Sequence, residues 1–266
     1  MARVDLDDSA TSLRSMMRAR ASLDSSAVVY WFKGYVYSFV PDERSRRLFG
    51  FEGFNIARAR EVDGGYQLLT RESVFYKDPD TDQITGRWNN PWTGKEVEVV
   101  HVLNDPVNQS MQLNGPRGPF KASYIEMGDD VYFYSDIFLK YPSPLPRSKY
   151  PAYSISEDYE AAELFTFHVK RSDLDNESLV SVPTQVNWTR LAPWLPWMEM
   201  GDHPGTVVYH CRGKKLEGGY AQLPQDIQDY VAANHPEYQD APTEFVQPNE
   251  TSWTYFLKVL ARRGQG

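Results

Sequence analysis

The chain contains 266 residues, of which 41% are hydrophobic, 14% aromatic and 24% charged, and its formal net charge at pH 7 is −8. This length is sufficient to bury a hydrophobic core without disulfides, and the composition is that of a globular protein. The acidic balance argues against nucleic acid or an anionic membrane as a partner, because both are bound by clustered Lys and Arg side chains.

A single cysteine, Cys211, limits the cysteine chemistry of the chain. It cannot form a disulfide within the chain or a cysteine-based zinc cluster, and a small buried hydrophobe is its simplest interpretation. The N-terminal residues lack a continuous apolar segment of the kind found in secretory signals, and no window approaches the roughly 18 apolar residues of a membrane span. We therefore expect a cytoplasmic protein.

Residues 1–25 are predicted to form an N-terminal helical arm. Asp8 or Ser9 is suited to cap a short helix that carries Leu13, Met16 and Met17 on one face. An apolar face on a terminal helix is typical of a lid over a site or of a contact between copies in a homo-oligomer.

From residue 26 onward the hydrophobic period changes from helical to alternating, which predicts strands. Asp63-Gly64-Gly65 is a hairpin signal between two of them. Two helices are predicted near the C-terminus, over 224–233 and 251–262. The predicted strands cover 28–39, 48–60, 66–77, 96–103, 131–140, 159–171, 180–190 and 206–212.

About eight to ten strands at this spacing, with helices only at the ends, indicate an all-antiparallel fold. We predict a mainly β protein with an antiparallel β-barrel of the lipocalin or calycin kind. Residues 26–266 are expected to form this single barrel-like domain together with the C-terminal helices.

The familiar cofactor motifs are absent from the sequence. There is no glycine-rich dinucleotide fingerprint, no P-loop, no nucleophile elbow and no zincin motif, so we expect no cofactor and no metal. Asp78, Asp80 and Asp82 have the spacing of a calcium loop, but Gln83 occupies the position that requires glycine, so an acidic turn is the simpler interpretation.

Three histidines, His101, His168 and His210, lie in predicted strands and are the first candidates for acid/base catalysis. If they converge on one side of a barrel, a three-histidine metal site is the alternative. In the alternating segment 96–103, His101 shares a face with valines, so we expect it to point inward.

Further polar residues suit the remaining roles at such a site. Tyr76 would serve as a proton donor and Asp105 as an acid, with Glu72 and Glu163 as further acid candidates. Arg190 would anchor a phenolate or carboxylate of the substrate. The other candidate substrate-binding residues are amides and aromatic walls: Asn90, Asn104, Trp88, Trp188 and Trp197.

Several motifs together resemble the DUF1838 family of bacterial proteins over most of residues 26–245. They are Tyr76-Lys77-Asp78-Pro79 with Thr81, Trp88 with Asn90-Pro91 and Thr93-Gly94, Asn104-Asp105-Pro106-Val107, Trp197-Met198 with Gly201, and Gly205 with Tyr209-His210 and Gly213-Lys214. The resemblance implies a role in the catabolism of aromatic, lignin-derived compounds, similar to that of cofactor-free lyases that release formaldehyde from diaryl units.

Three functional hypotheses follow from these observations. The first is a carbon–carbon lyase or isomerase that acts on a hydrophobic aromatic small molecule by general acid/base catalysis, releasing formaldehyde from a lignin-derived diaryl compound to give a stilbene. The second is a lipocalin-like protein that binds a small hydrophobic ligand without changing it. The third is an oxygenase with a metal held by histidines.

Overall fold

A computed structural model describes residues 3–116 and 118–264. Strands account for 42% of the residues and helices for 19%, so the protein is mainly β, as predicted. The α-helices are α1 (Ser9–Arg20), α2 (Arg171–Asp175), α3 (Gln225–Asn234) and α4 (Ser252–Arg262), and short 3-10 helices cover Pro196–Met198, Gly219–Gln222 and Pro236–Gln239.

The long strands correspond to predicted alternating segments, although the strand predicted over 180–190 begins only at Gln185, and several short strands were not predicted. They are β1 (Val28–Phe39), β2 (Arg47–Val62), β3 (Gly65–Lys77), β4 (Arg87–Asn89), β5 (Glu96–Glu98), β6 (Val102–Asn104), β7 (Gln109–Gln112), β8 (Asn114–Gly115), β9 (Gly118–Pro119), β10 (Ser123–Met127), β11 (Asp130–Pro142), β12 (Asp158–Lys170), β13 (Gln185–Ala192) and β14 (Thr206–Leu216). The hairpin predicted at Asp63-Gly64 joins β2 to β3, and Gly64 has the positive φ of 72° that such a turn requires.

One antiparallel sheet of ten strands organises the described residues. Its order is β10-β11-β12-β13-β14-β1-β2-β3-β6, and β7 also pairs with β3. The N-terminal and C-terminal strands meet in the middle of the sheet, where β1 pairs with β14 along its length from Val29 to Phe39. Two small ribbons, β4-β5 and β8-β9, lie outside this sheet.

The predicted closed barrel is wrong for the part of the chain that the structure describes. The sheet has β10 at one edge and the short strands β6 and β7 at the other, and no pairing joins these edges. Closure requires strands that are long enough and staggered to meet across the seam. Here β6 has three residues and β7 has four, so they cover only parts of β3.

The predicted strand over 96–103 divides into two strands with different partners. β5 pairs with β4 in a small ribbon, whereas β6 pairs with Glu72–Val74 of β3. Val97, Val99, His101 and Leu103 are buried, as the alternation predicts. Val102 is buried too, because the segment leaves its ribbon and enters the large sheet, where both of its sides are covered.

Helices cover both faces of the sheet. α1 is capped by the Asp8 side chain and packs Leu13 and Met17 against Val28 and Ala57. α4 begins after a capping box at Thr251 and lies on the same face as α1. α3 covers the opposite face through a separate apolar cluster. The site described below lies on the α1 and α4 side.

Candidate functional site

A cavity of about 300 Å³ lies between the large sheet and the segments that cover it. Its walls come from β1, β2, β3, β6, β7, β11, β12, β13 and β14, with cover from Arg20 at the end of α1 and from residues 249–252 before and at the start of α4. This volume is at the lower end of the range of about 300–1,000 Å³ that is typical of small-molecule pockets.

Aromatic side chains form a continuous wall of this cavity. Trp188 of β13 lies between Phe165 and Phe51, with ring centroids 6.1 and 5.8 Å away, and the Tyr209 ring lies 5.5 Å from it. The strand register brings these rings together, because Trp188 is opposite Phe165 on one side and Cys211 on the other. A wall of stacked and tilted rings of this kind suits a flat ligand.

A carboxyl group without a protein partner faces the cavity. Glu72 lines it, and within residues 3–116 and 118–264 no hydrogen bond or ion pair engages its carboxylate. Burial, reinforced by the negative charge of Glu163 and opposed by the positive charge of Arg190, raises the pKa of Glu72 to about 7. At neutral pH this carboxyl therefore both accepts and releases a proton.

Arg190 contacts a carboxylate and a tyrosine hydroxyl on the same wall. The register places it between Glu163 and Tyr209, and its Nε lies 3.5 Å from Oε1 of Glu163. That contact is an ion pair without hydrogen-bond geometry, whereas Nη2 donates a hydrogen bond to the Tyr159 hydroxyl. Burial alone would lower the pKa of Arg190, but Tyr159 and Glu163 outweigh it and keep the guanidinium charged.

Two tyrosine hydroxyls form a pair at the same end of the cavity. The hydroxyl oxygens of Tyr76 and Tyr209 lie 3.1 Å apart. Burial raises the pKa of both phenols above the ordinary value, and for Tyr76 the neighbouring Tyr209 adds to the effect. Both side chains therefore keep their protons at neutral pH and can donate hydrogen bonds to a ligand.

Two further polar atoms in the cavity wall lack a partner among the described residues. They are Oδ1 of Asn104 and Nε1 of Trp188, both buried. Asn104 is opposite Glu72 in the pairing of β6 with β3. Buried groups of this kind normally make hydrogen bonds. A bound ligand with a donor for Oδ1 of Asn104 and an acceptor for Nε1 of Trp188 would supply the missing partners.

The single cysteine also lines the cavity. Cys211 is 1% exposed, and burial, with a contribution from the charge of Glu72, raises the pKa of its thiol above the ordinary value. The thiolate is the nucleophilic form, so this environment does not activate Cys211 as a nucleophile.

The three predicted catalytic histidines lie outside the cavity wall and do not converge. His101 is buried at the edge of the sheet, where Nδ1 accepts a hydrogen bond from the backbone N–H of Tyr76. Burial lowers the pKa of His101 to about 4. His168 and His210 alternate along β12 and β14 with the cavity-lining residues, so their side chains lie on the opposite face of the sheet. On that face His168 contacts Asp130 at 2.5 Å and His210 contacts Thr189 at 3.2 Å.

The remaining predicted residues divide between the cavity and its support. Tyr76, Asn104, Trp188 and Arg190 line the cavity. The side chain of Asp105 instead forms an ion pair of 3.4 Å with Arg71.

Asn90, Trp88 and Trp197 belong to the supporting core next to the cavity. Asn90 holds a turn together, since its amide donates to the carbonyl of Met198 and its oxygen accepts from the N–H of Trp92. Trp88 and Trp197 pack against each other at 6.2 Å, and Trp197 lies 5.3 Å from the Tyr76 ring.

Sequence reasoning missed many of the cavity residues as members of the site, among them Arg20, Phe51, Tyr159 and Tyr209. For the strand residues the sequence does contain a signal: alternation places each of them on the same face of its strand as the apolar residues two positions away. No spacing in the sequence connects Arg20, at the end of a helix, with strands more than a hundred residues later.

The structure also bears on the metal sites and the membrane span that were considered from the sequence. Asp78 accepts hydrogen bonds from the backbone of Asp80 and Thr81, which is the chemistry of a turn. In the described part of the chain, no group of three or more His, Cys, Asp or Glu side chains is arranged to hold a metal ion. Nor does any helix there combine the length and apolarity needed to cross a membrane.

Comparison with known proteins places the sequence in a family but not in a functional class. The family model for DUF1838, described as a protein of unknown function, matches residues 25–260. The comparison with curated proteins gives no match.

Proposed function

The chain belongs to the DUF1838 family, and we propose that it binds a small aromatic molecule in the cavity and transforms it by general acid/base catalysis. Glu72 is the proton-transfer group in this proposal. The observation that carries it is an unpartnered carboxyl, with its pKa raised to about 7, on a wall of aromatic rings. General acids and bases are most effective when their pKa is close to the working pH.

The groups around Glu72 supply the other roles that such a reaction needs. The hydroxyls of Tyr76 and Tyr209 are protonated and donate hydrogen bonds to substrate oxygens. Arg190 provides a positive charge close to any negative charge that develops during the reaction. The rings of Phe51 and Trp188 hold the aromatic body of the substrate against the wall.

Within this class we propose a carbon–carbon lyase reaction on a 1,2-diaryl-1,3-propanediol with a para-hydroxyl group. A donor protonates the benzylic hydroxyl, the carbon–oxygen bond breaks, and water leaves as the phenol loses its proton to give a quinone methide. A base then removes the proton of the primary alcohol, the carbon–carbon bond breaks, and its electron pair restores the aromatic ring. The products are a stilbene, formaldehyde and water, so no oxidant or reductant is consumed.

A second candidate function is ligand binding without catalysis. The observation that favours it is the enclosed aromatic wall, which suits a carrier of a hydrophobic ligand as well as an enzyme. The two functions differ in a measurable way, because a carrier returns its ligand unchanged and binds it in stoichiometric amounts. The three histidines do not lie together, so the metal oxygenase has no comparable support.

The proposal is tested by incubating the protein with the diaryl propanediol and measuring formaldehyde and stilbene in equal amounts. We expect Glu72→Gln to lower kcat by about 10²- to 10⁴-fold, because the amide cannot transfer the proton, while the substrate still binds. Glu160→Gln is the matched control, since Glu160 is an exposed carboxylate of β12 that pairs with Lys140. This control is expected to retain full turnover.

Full turnover by the Glu72→Gln variant would remove Glu72 from the mechanism. Binding of the diaryl compound without any product would instead favour the carrier function.

A further inference from the structure

Two arginines line the cavity without a carboxylate partner among the described residues, Arg20 and the solvent-exposed Arg212, and Arg20 is the less exposed of the two. Arg20 is the last residue of α1, and its Cζ lies 5.6 Å from the centroid of the Phe167 ring, which also lines the cavity. Among the described residues its guanidinium makes one hydrogen bond, to Sδ of Met111 at 3.6 Å, and no ion pair. A thioether is a weak acceptor, so the charge of Arg20 is largely uncompensated.

A second arginine on the same helix shows how the fold satisfies such a group when it is purely structural. Arg18 is 2% exposed. Its guanidinium donates to the backbone carbonyls of Asp173, Leu174, Asn176 and Leu179. Arg18 therefore ties α1 to the segment after β12, whereas Arg20 has no comparable set of acceptors.

Arg20 is also not needed to complete the end of its helix. The carbonyls of Arg18 and Ala21 accept hydrogen bonds from Nζ of Lys215 at 2.8 and 3.0 Å. The carbonyl of Ala19 accepts from the hydroxyls of Tyr30 and Thr184. Because other side chains satisfy these carbonyls, the Arg20 side chain is available to the cavity.

Aromatic rings connect Arg20 with the acid/base groups. The rings of Phe167 and Phe165 stack with centroids 6.0 Å apart, and the Trp188 ring follows at 6.1 Å. Phe167 and Glu163 lie four residues apart on β12, a distance of about 13 Å along a strand. The two charged ends of the cavity are thus separated by roughly the length of two joined aromatic rings.

We propose that the ligand of this cavity carries a carboxylate that pairs with Arg20, with its aromatic body along Phe167, Phe165 and Trp188 and its reacting group near Glu72. The inference rests on the proposed function, because it assumes that the cavity holds an aromatic substrate. The planar guanidinium matches a carboxylate in two parallel hydrogen bonds, and a charge that is partly removed from water costs free energy unless it is paired. Burial lowers the pKa of Arg20, and Tyr30 opposes this effect.

The test uses two probes that share the stilbene body and differ in one end group, the anionic trans-stilbene-4-carboxylate and the neutral trans-stilbene-4-methanol, with binding measured by isothermal titration calorimetry. We expect the protein to bind the carboxylate about 10- to 100-fold more tightly than the alcohol, as charge-assisted hydrogen bonds typically allow. Arg20→Met is expected to abolish this preference without changing the affinity for the alcohol. Arg14→Met, at an exposed arginine of the same helix, is the control and keeps the preference.

The affinity for the neutral alcohol also reports whether a variant keeps its cavity. If Arg20→Met fails to fold, Arg20→Gln tests the same loss of charge with a polar side chain. Equal affinities for the two probes in the unaltered protein, or a preference for the carboxylate that persists without the arginine, would contradict the pairing of a ligand carboxylate with Arg20. Neither result would contradict the proposed reaction. Binding of neither probe would contradict both proposals.

Discussion

Replacement of Arg190 by methionine is expected to lower the free energy of unfolding by about 3–5 kcal/mol, the cost typical of breaking a buried ion pair by removing one partner. The side chains of Arg190 and Glu163 are 16% and 20% exposed, and the exposed part of each includes surface that faces the cavity. Without the guanidinium, Glu163 and Glu72 keep their carboxyls in a poorly solvated site with no opposite charge beside them.

The loss is expected to depend on pH. The positive charge of Arg190 opposes the rise of the Glu72 pKa, so its removal raises that pKa further. The ionised carboxyl then costs more, and the destabilisation is larger at pH 8 than at pH 5. Urea denaturation at the two pH values measures this difference.

Arg47→Met is the control for this experiment. Arg47 pairs with Asp80 at 3.4 Å, but their side chains are 42% and 86% exposed. Exposed pairs contribute about 0–1 kcal/mol, so we expect a change within that range at both pH values. A loss of less than about 1 kcal/mol for Arg190→Met as well would show that Arg190 does not compensate the buried carboxyls.

The second large effect has the opposite sign, because Glu72→Gln is expected to stabilise the protein above pH 7. A carboxyl whose pKa rises from 4.5 to about 7 on folding binds its proton more tightly in the folded state. The resulting stability is fully present below pH 4.5 and is lost as the pH rises through about 7. Above that pH the ionised group costs up to about 3 kcal/mol, which the neutral amide avoids.

We therefore expect Glu72→Gln to raise the free energy of unfolding at pH 8.5 by up to about 3 kcal/mol and to leave it nearly unchanged at pH 4.5. Denaturation of the variant and of Glu160→Gln at both pH values provides the measurement, and the exposed control is expected to change by less than about 0.5 kcal/mol. Equal effects of Glu72→Gln at the two pH values would contradict the raised pKa.

The strands could be predicted from the sequence because their alternation is a local property. The predicted segments 28–39 and 66–77 correspond to β1 and β3 within one residue at each end. Closure of the barrel could not be predicted, since it depends on whether distant edge strands meet. The division of 96–103 has the same origin, because the two halves pair with different strands. The DUF1838 assignment, which rested on consecutive residues, is confirmed.

The site was less predictable, because its chemistry depends on contacts between distant strands. Glu163 and His168 lie on opposite faces of β12, and Glu72 and Tyr76 share one face of β3, as alternation along a strand requires. The sequence alone favours histidine, since its ordinary pKa lies nearest to neutral. Burial reverses that order here, lowering the pKa of His101 to about 4 and raising that of Glu72 to about 7.

The proton affinity of Glu72 can be measured directly by nuclear magnetic resonance, with ¹³C-labelled glutamate carboxyls followed from pH 3 to pH 9. A single carboxyl is expected to titrate near pH 7, and its signal is expected to be missing from the spectrum of Glu72→Gln. If the signal that this variant lacks titrates below pH 5 in the unaltered protein, Glu72 is an ordinary ionised carboxylate and the proposed acid/base role is contradicted.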